Sequence, residues 1–273
     1  METITRFAPS PTGLLHLGHA YCAWKNRQQG ELFRLRLEDI DSTRCTPAFA
    51  AAALYDLHWL GLRWDGEVRV QSAHLAEYQT ALSGLSSRGL LYPCFCSRRE
   101  IAEAQAAPHG ATPVYPGTCR HLHPDARAGR INAGHAYALR LDTAAASAIT
   151  GALKFFEADS GWVAARPETF GDIVLARRDI PTSYHLCVVH DDAAQGVTHI
   201  LRGEDLRPAT HVQVLLQALL GLPTPKYAHH PLLRNAAGQR LTKRDGAESL
   251  RALRESGVKP SVLLERFARM EAA

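Results

Sequence analysis

Apolar positions in the first ninety residues alternate between two periods, and each switch marks an element. Thr3 to Phe7 carries the two-residue period of a half-buried strand. From Leu17 the period lengthens: Leu17, Ala20, Tyr21 and Trp24 recur at helical spacing until Gly30 ends the pattern. Residues 31–37, Glu-Leu-Phe-Arg-Leu-Arg-Leu, return to alternation and predict a second strand. Thr46 and Pro47 supply an N-cap and a first-turn proline for a helix that runs to Leu60 and stops at Gly61. A further helical pattern covers His74 to Arg88 and stops at Gly89. The order β-α-β-α-α is half of a nucleotide-binding sheet.

From Tyr92 to Gly161 no clean period survives, and cysteines, prolines and alanine-rich stretches take over, which predicts an insertion between two halves of one fold. Regular signals resume with a strand at Asp172 to Ala176 and another within Gly196 to Leu206. Pro208 then opens a helix with Val212, Leu215, Leu216 and Leu219 on one face, closed by Gly221 and Pro223. The expected organisation is 1–91, first half of an α/β domain; 92–180, insertion; 181–246, second half; and 247–273, a tail of two short helices at 247–255 and 260–271.

Composition adds little but excludes much. With 46% hydrophobic and 21% charged residues the chain reads as an ordinary soluble globular protein. No apolar run is long enough to span a bilayer, and the N-terminus lacks the basic start and apolar core of a signal peptide, so a cytoplasmic location is expected. A net charge of +4 permits a polyanionic partner without demonstrating one. Basic residues are mostly arginine, which singles out Lys25, Lys154, Lys226, Lys243 and Lys259 as places where an ammonium point charge was kept.

The chemistry gathers at Arg6-Phe7-Ala8-Pro9-Ser10-Pro11-Thr12-Gly13-Leu14-Leu15-His16-Leu17-Gly18-His19. Two prolines and a glycine force a sharp turn between strand and helix. His16 and His19 then stand one turn apart at the helix start, where backbone N–H groups and the helix dipole favour a phosphate. This run resembles the first signature of the class I aminoacyl-tRNA synthetases, in its glutamyl form. Glu38-Asp39-Ile40-Asp41, at the end of the second strand, is similar to the acidic run of that branch, and Gln239 to Gly246 resembles the second signature, centred on Thr242-Lys243.

The resemblance implies an α/β fold, a Rossmann-like nucleotide-binding domain split by a zinc-containing insertion and followed by a short helical tail. It also implies that ATP, with Mg2+, activates glutamate. His16, His19 and Lys243 would bind the phosphates and stabilise the charge that develops on them. Arg6 and Arg202 would face the glutamate side-chain carboxylate, Glu38 its amino group, and Tyr184 with the stretch Phe7-Ala8-Pro9-Ser10 would complete the pocket. Tyr184 opens the run Tyr-His-Leu-Cys-Val-Val-His-Asp-Asp192, in which His190 replaces the family's apolar residue, with no role assigned.

Cys94-x-Cys96 with Cys119 has the spacing of a structural zinc site that needs a fourth ligand. Metal chemistry in general favours His121, whereas similarity to the short, tail-less relatives favours Tyr115. Cys22, Cys45 and Cys187 lack such spacing and are expected in the core. The chain ends at Ala273, too soon after the Lys243 loop for the anticodon-gripping region of full-length glutamyl-tRNA synthetases. That shortened architecture resembles the glutamyl-queuosine tRNA(Asp) synthetases, and implies that the queuosine-bearing anticodon stem-loop of tRNA(Asp) is the partner, met by a monomer. The rival expectations are a truncated enzyme charging the 3′ end of tRNA(Glu), and a non-catalytic RNA-binding module.

Overall fold

A computed structural model describes residues 2–97, 99–101, 114–233 and 248–272 of the chain. The N-terminal half is a run of parallel strands and crossover helices. β1 (Ile4–Phe7) leads through α1 (Leu17–Gln29) to β2 (Leu32–Leu37), which lies parallel to β1 with Ile4 opposite Leu32 and Phe7 opposite Leu35. The return from α1 into β2 is tight. A Cβ at Gly30 would lie 2.3 Å from Thr5 Oγ1 and 2.5 Å from the Leu32 carbonyl oxygen, so the turn admits only glycine. α2 (Pro47–Trp59) starts as expected, with the Thr46 hydroxyl accepting the Phe49 N–H at 3.2 Å. β3 (Arg69–Val70) adds a third parallel strand, and α3 (Leu75–Ser87) follows.

The stretch without periodicity has structure of its own. β4 (Leu91–Cys94), α4 (Pro124–Asn132), β5 (Ala138–Leu141), α5 (Thr143–Thr150), β6 (Lys154–Glu157), β7 (Gly161–Ala164) and β8 (Val174–Arg177) occupy it. β4, β5 and β8 form a small antiparallel sheet. β6 and β7 do not join it: β6 pairs with β10 (Lys226–His230), so this hairpin lies in the main sheet although it falls inside the expected 92–180 insertion. α6 (Tyr184–Ala194), β9 (His199–Gly203) and α7 (Thr210–Leu220) precede β10, and α8 (Leu250–Glu255) and α9 (Pro260–Ala272) close the chain.

The order β7-β6-β10-β9 meets the order β1-β2-β3 edge to edge. Thr198 holds the seam, its N–H donating to the Ile4 carbonyl at 3.0 Å and its hydroxyl accepting the Ile4 N–H at 2.8 Å. From this seam the chain winds outward in both directions, which makes it the switch point where ligands of such sheets sit. One core packs α1 and β2 against α2, α8 and α9 through Phe33, Leu57, Leu250 and Phe267. Another packs α3, α6 and α7 through Leu82, Leu186 and Leu215.

Buried charges fasten α6 to the strands. Asp192 Oδ1 accepts from Arg6 Nε at 3.0 Å and from Arg36 Nη1 at 2.9 Å. Asp191 accepts from Arg69 Nε at 2.7 Å, from Gln71 Nε2 at 2.8 Å and from the Tyr78 hydroxyl at 2.9 Å. His190, unexplained in the sequence, packs edge-on to Tyr78 with Nδ1 3.7 Å from Asp191 Oδ1. Burial raises the affinity of Asp191 for a proton, but His190, Arg36, Gln71 and Arg69 outweigh it and bring the carboxyl down to about 2.

A carboxyl depressed in the folded state stabilises the fold above its unfolded pKa and loses that contribution as pH falls through the folded value. The stability gap between the parent and Asp191→Asn is therefore expected to be full above pH ~5, at about 2–3 kcal/mol, and to close between pH ~4 and ~2. Denaturant melts across that range measure it. A gap that stays constant down to pH ~2 contradicts the assignment.

Candidate active site

The loop between β1 and α1 ends in a reciprocal cap. His16 is the N-cap residue of α1, and its Nδ1 accepts the Gly18 N–H at 3.1 Å. His19 Nδ1 in turn accepts the His16 N–H at 3.2 Å, and the rings lie 3.8 Å apart, centroid to centroid. With both Nδ1 atoms accepting from backbone, the ring proton of each resides on Nε2, which makes that nitrogen a hydrogen-bond donor. Gly18 gives the His16 ring its space, since a Cβ there would stand 3.0 Å from His16 Cε1. The C-terminal helices reach the same loop: the Leu250 N–H donates to the Leu15 carbonyl at 2.8 Å.

Below the cap, at the seam of the sheet, lies a cavity of about 700 Å³. His16 and His19 line it together with Arg6, Phe7, Ala8, Pro9 and Ser10, and so do Glu38, Tyr184 and Arg202. The structure thus brings together these ten residues singled out in the sequence. Lys243, with the whole run Gln239 to Gly246, lies outside the described residues.

The charged residues in this cavity differ in how they are held. Arg6 shares Asp192 with Arg36 and also donates to the Leu201 carbonyl at 3.4 Å. Glu38, just past β2, accepts from Arg36 at 3.3 Å, and its N–H donates to the Pro9 carbonyl at 3.1 Å, fixing it against the loop. Burial pushes the Glu38 carboxyl up, with the Arg36 and Arg6 charges opposing it. Tyr184 is the first residue of α6, whose N-cap Ser183 accepts the Leu186 N–H at 3.3 Å. Arg202 on β9 is 3% exposed, and among the described residues it donates to neutral groups alone: Gln213 Oε1 at 2.8 Å, Thr210 Oγ1 at 2.8 Å and His229 Nε2 at 3.2 Å.

A second cavity of about 560 Å³ shares Ser10, Glu38 and Tyr184 with the first. Arg44, Arg140 and Arg177 stand in its wall, and Cys96 borders it. There the thiol sulfurs of Cys94, Cys96 and Cys119 lie within 4.8 Å of one another. A tetrahedral zinc with Zn–S bonds of about 2.3 Å holds its sulfurs about 3.8 Å apart, so the trio fits a metal. Tyr115 joins the cluster, its hydroxyl 3.8 Å from Cys96 Sγ and accepting the Cys119 N–H at 2.8 Å. His121 is exposed and stands outside it. Of the other cysteines, Cys187 is buried, Cys45 is half-buried, and Cys22 lines the first cavity.

A profile of tRNA synthetases class I (E and Q), catalytic domain, matches residues 2–272. The chain belongs to this family. It is 51% identical to a glutamyl-Q tRNA(Asp) synthetase of Rhodobacter capsulatus, over 94% of this chain and 97% of that protein. A glutamyl-Q tRNA(Asp) synthetase of Nocardia farcinica is 44% identical, over 95% of this chain and 81% of that one. Among solved structures, a glutamate tRNA ligase of Elizabethkingia meningosepticum superposes with a TM-score of 0.73 at 26% identity, covering 90% of this chain. The chain spans about half of that ligase, 53% of its length. Within this class I ligase family the catalytic fold is the mixed α/β arrangement described above. No described helix is long and apolar enough to cross a membrane.

Sequence reasoning passed over His229 and gave no role to Asp192 and Arg36, which it met only as members of the runs Tyr184 to Asp192 and 36–41; the side chains of all three orient the cavity. One signal was present: two adjacent aspartates close a helix whose preceding residues are largely apolar, and buried acids need cationic partners.

Gly18→Ala is expected to displace the His16 ring and slow ATP–pyrophosphate exchange, the assay of amino-acid activation, by ~10-fold or more. The melting midpoint should move little, because the gain from alanine in place of glycine in a helix offsets the weakened His16 cap. Exchange at the parent rate would mean that glycine does not set the ring position.

Proposed function

We propose that this protein activates glutamate with ATP and transfers it to the queuosine base in the anticodon of tRNA(Asp). The observation that carries the activation step is the meeting, in one cavity at the switch point, of a helix-start imidazole pair with two buried guanidinium groups and one buried carboxylate. Glutamate offers the complement, one ammonium and two carboxylates. Arg202 and Arg6 take the side-chain carboxylate, Glu38 the ammonium, and Tyr184 closes the pocket beside them.

The α-carboxylate oxygen then attacks the α-phosphorus of ATP, the bond to the bridging oxygen of the pyrophosphate breaks, and glutamyl-adenylate forms. The Nε2–H donors of His16 and His19 stabilise the phosphate charge from the helix end, and the ammonium of Lys243 follows the departing pyrophosphate. Magnesium accompanies ATP. In the second step a hydroxyl oxygen of the queuosine ring attacks the glutamyl carbonyl carbon and AMP leaves. The cavity with Arg44, Arg140 and Arg177 in its wall adjoins the adenylate and suits an anionic RNA segment carrying that hydroxyl. The likeness to the two glutamyl-Q tRNA(Asp) synthetases supports this acceptor. Likeness to a glutamate tRNA ligase favours the rival reading, transfer to the 3′ end of tRNA(Glu).

Cys94, Cys96, Cys119 and Tyr115 would hold one zinc ion, which closes the loop beside the second cavity. Arg140 stacks on the Tyr115 ring, with Cζ 3.8 Å from its centroid, and holds the ring in place beside the thiols.

Glutamate should support pyrophosphate exchange without RNA, and Lys243→Ala should slow it ~10²-fold or more. Transfer of labelled glutamate is expected to tRNA(Asp) carrying queuosine, and to be lost when the base is absent or its diol is cleaved by periodate. Efficient charging of unmodified tRNA(Glu) would overturn the acceptor assignment.

Elemental analysis of the purified protein should find about one zinc per chain. Tyr115→Phe should loosen the metal while His121→Ala leaves it in place. A folded, active, zinc-free protein removes the metal from the account.

A further inference from the structure

Arg202 differs from Arg6, the other buried arginine lining the cavity, in forming no ion pair among the described residues. Arg6 and Arg36 are paired with Asp192, whereas no carboxylate among the described residues forms an ion pair with Arg202. Its orientation comes from neutral acceptors, and one of these leads further. His229 can accept from Arg202 Nε through Nε2 only if its ring proton sits on Nδ1. That Nδ1 lies 2.8 Å from Glu157 Oε2. The three residues stand on three adjacent parallel strands. Arg202 of β9 is opposite His229 of β10 in register, and Glu157 of β6 is opposite Tyr227, on the same face of β10 as His229. The side chains of His229 and Glu157 are 0% and 2% exposed. Burial and the charges of Arg202 and Arg207 push the His229 imidazolium down to about 3, which keeps the ring neutral. Glu157 is not isolated, since Arg207 Nη2 stands 3.9 Å from its other oxygen.

We propose that Glu157 and His229 are positioning residues that aim Arg202 at the substrate's side-chain carboxylate and thereby set the preference for glutamate over glutamine. The proposal rests on the reading of Arg202 as the partner of that carboxylate. A carboxylate in direct contact with Arg202 would orient it equally well but would compete with the substrate for its charge. An imidazole between them transmits orientation while leaving the cation uncompensated where the substrate arrives. An amide substrate gains nothing from an uncompensated cation, so the device selects for charge.

Steady-state exchange with glutamate and with glutamine tests this on the full-length protein. Glu157→Leu frees His229 to take the Nε2–H tautomer, which cannot accept from Arg202. It should raise KM for glutamate ~10-fold or more and reduce the discrimination against glutamine by a similar factor, the scale of losing a hydrogen bond to a charged group. The KM for ATP and kcat should stay within about threefold, since the phosphate-binding residues are untouched. Glu157→Gln keeps an acceptor for Nδ1–H and should restore most of the glutamate KM. If Arg202→Gln leaves KM for glutamate unchanged, the glutamate reading itself fails. If Arg202→Gln raises that KM and Glu157→Leu does not, or if Glu157→Leu shifts kcat and the ATP KM equally, only the relay is overturned. Nitrogen NMR of the unmodified protein, labelled at histidine, is independent of how the variants fold. It should show His229 protonated at Nδ1 and bare at Nε2, and the opposite tautomer overturns the relay.

Discussion

One carboxylate, Asp192, makes the cavity possible. Arg36 is completely buried, and an unpaired guanidinium in that position is too costly for a folded chain to bear. Asp192 compensates Arg36 on β2 and, through the same oxygen, fixes Arg6 on β1. The helix that carries Asp192 begins with Tyr184, so a single element positions both the aromatic wall of the cavity and the counter-charge of its floor. Its neighbour Asp191 projects about 100° away round the helix, as successive residues do, and gathers Arg69 of β3, Tyr78 of α3 and Gln71 from the turn between them. Two adjacent acids thereby tie one helix to three strands. The arrangement leaves two classes of cation in the cavity: Arg6, largely neutralised by the fold, and Arg202, held by neutral groups.

Much of this was legible in the chain. β1, α1, β2, α2 and α3 followed from periodicity and caps, because apolar and polar positions recur in each at the period of its element, and Gly30, Thr46 and Gly61 punctuate them. The residues lining the cavity were legible too, for a different reason: they sit in contiguous runs at strand ends, so sequence neighbours are also neighbours in space. What periodicity missed was α6. Its pattern Tyr-His-Leu-Cys-Val-Val-His-Asp-Asp is buried on nearly all sides, and a helix buried all round has no polar face to set its period. β4 to β7 are four residues each, too short for alternation to rise above chance, and apart from the β6–β7 hairpin their pairing is non-local. The Glu157–His229 contact spans 72 positions and depends on a strand register that no local pattern encodes.

The hairpin of β6 and β7 has a consequence for how this fold can be taken apart. Between Tyr92 and Arg177 the chain visits the small sheet twice, then the main sheet, then the small sheet again, before continuing into the main sheet at β9. The intervening region is consequently not a cassette. Cutting it out as one block would strip the edge from the principal sheet and expose the backbone of β10, a strand whose other neighbour carries Arg202. A graft of this region between relatives has to be made as two separate pieces flanking 154–164, with the hairpin left behind. Any chimera that swaps the whole stretch exchanges part of the cavity's own scaffold along with the loops it was meant to replace.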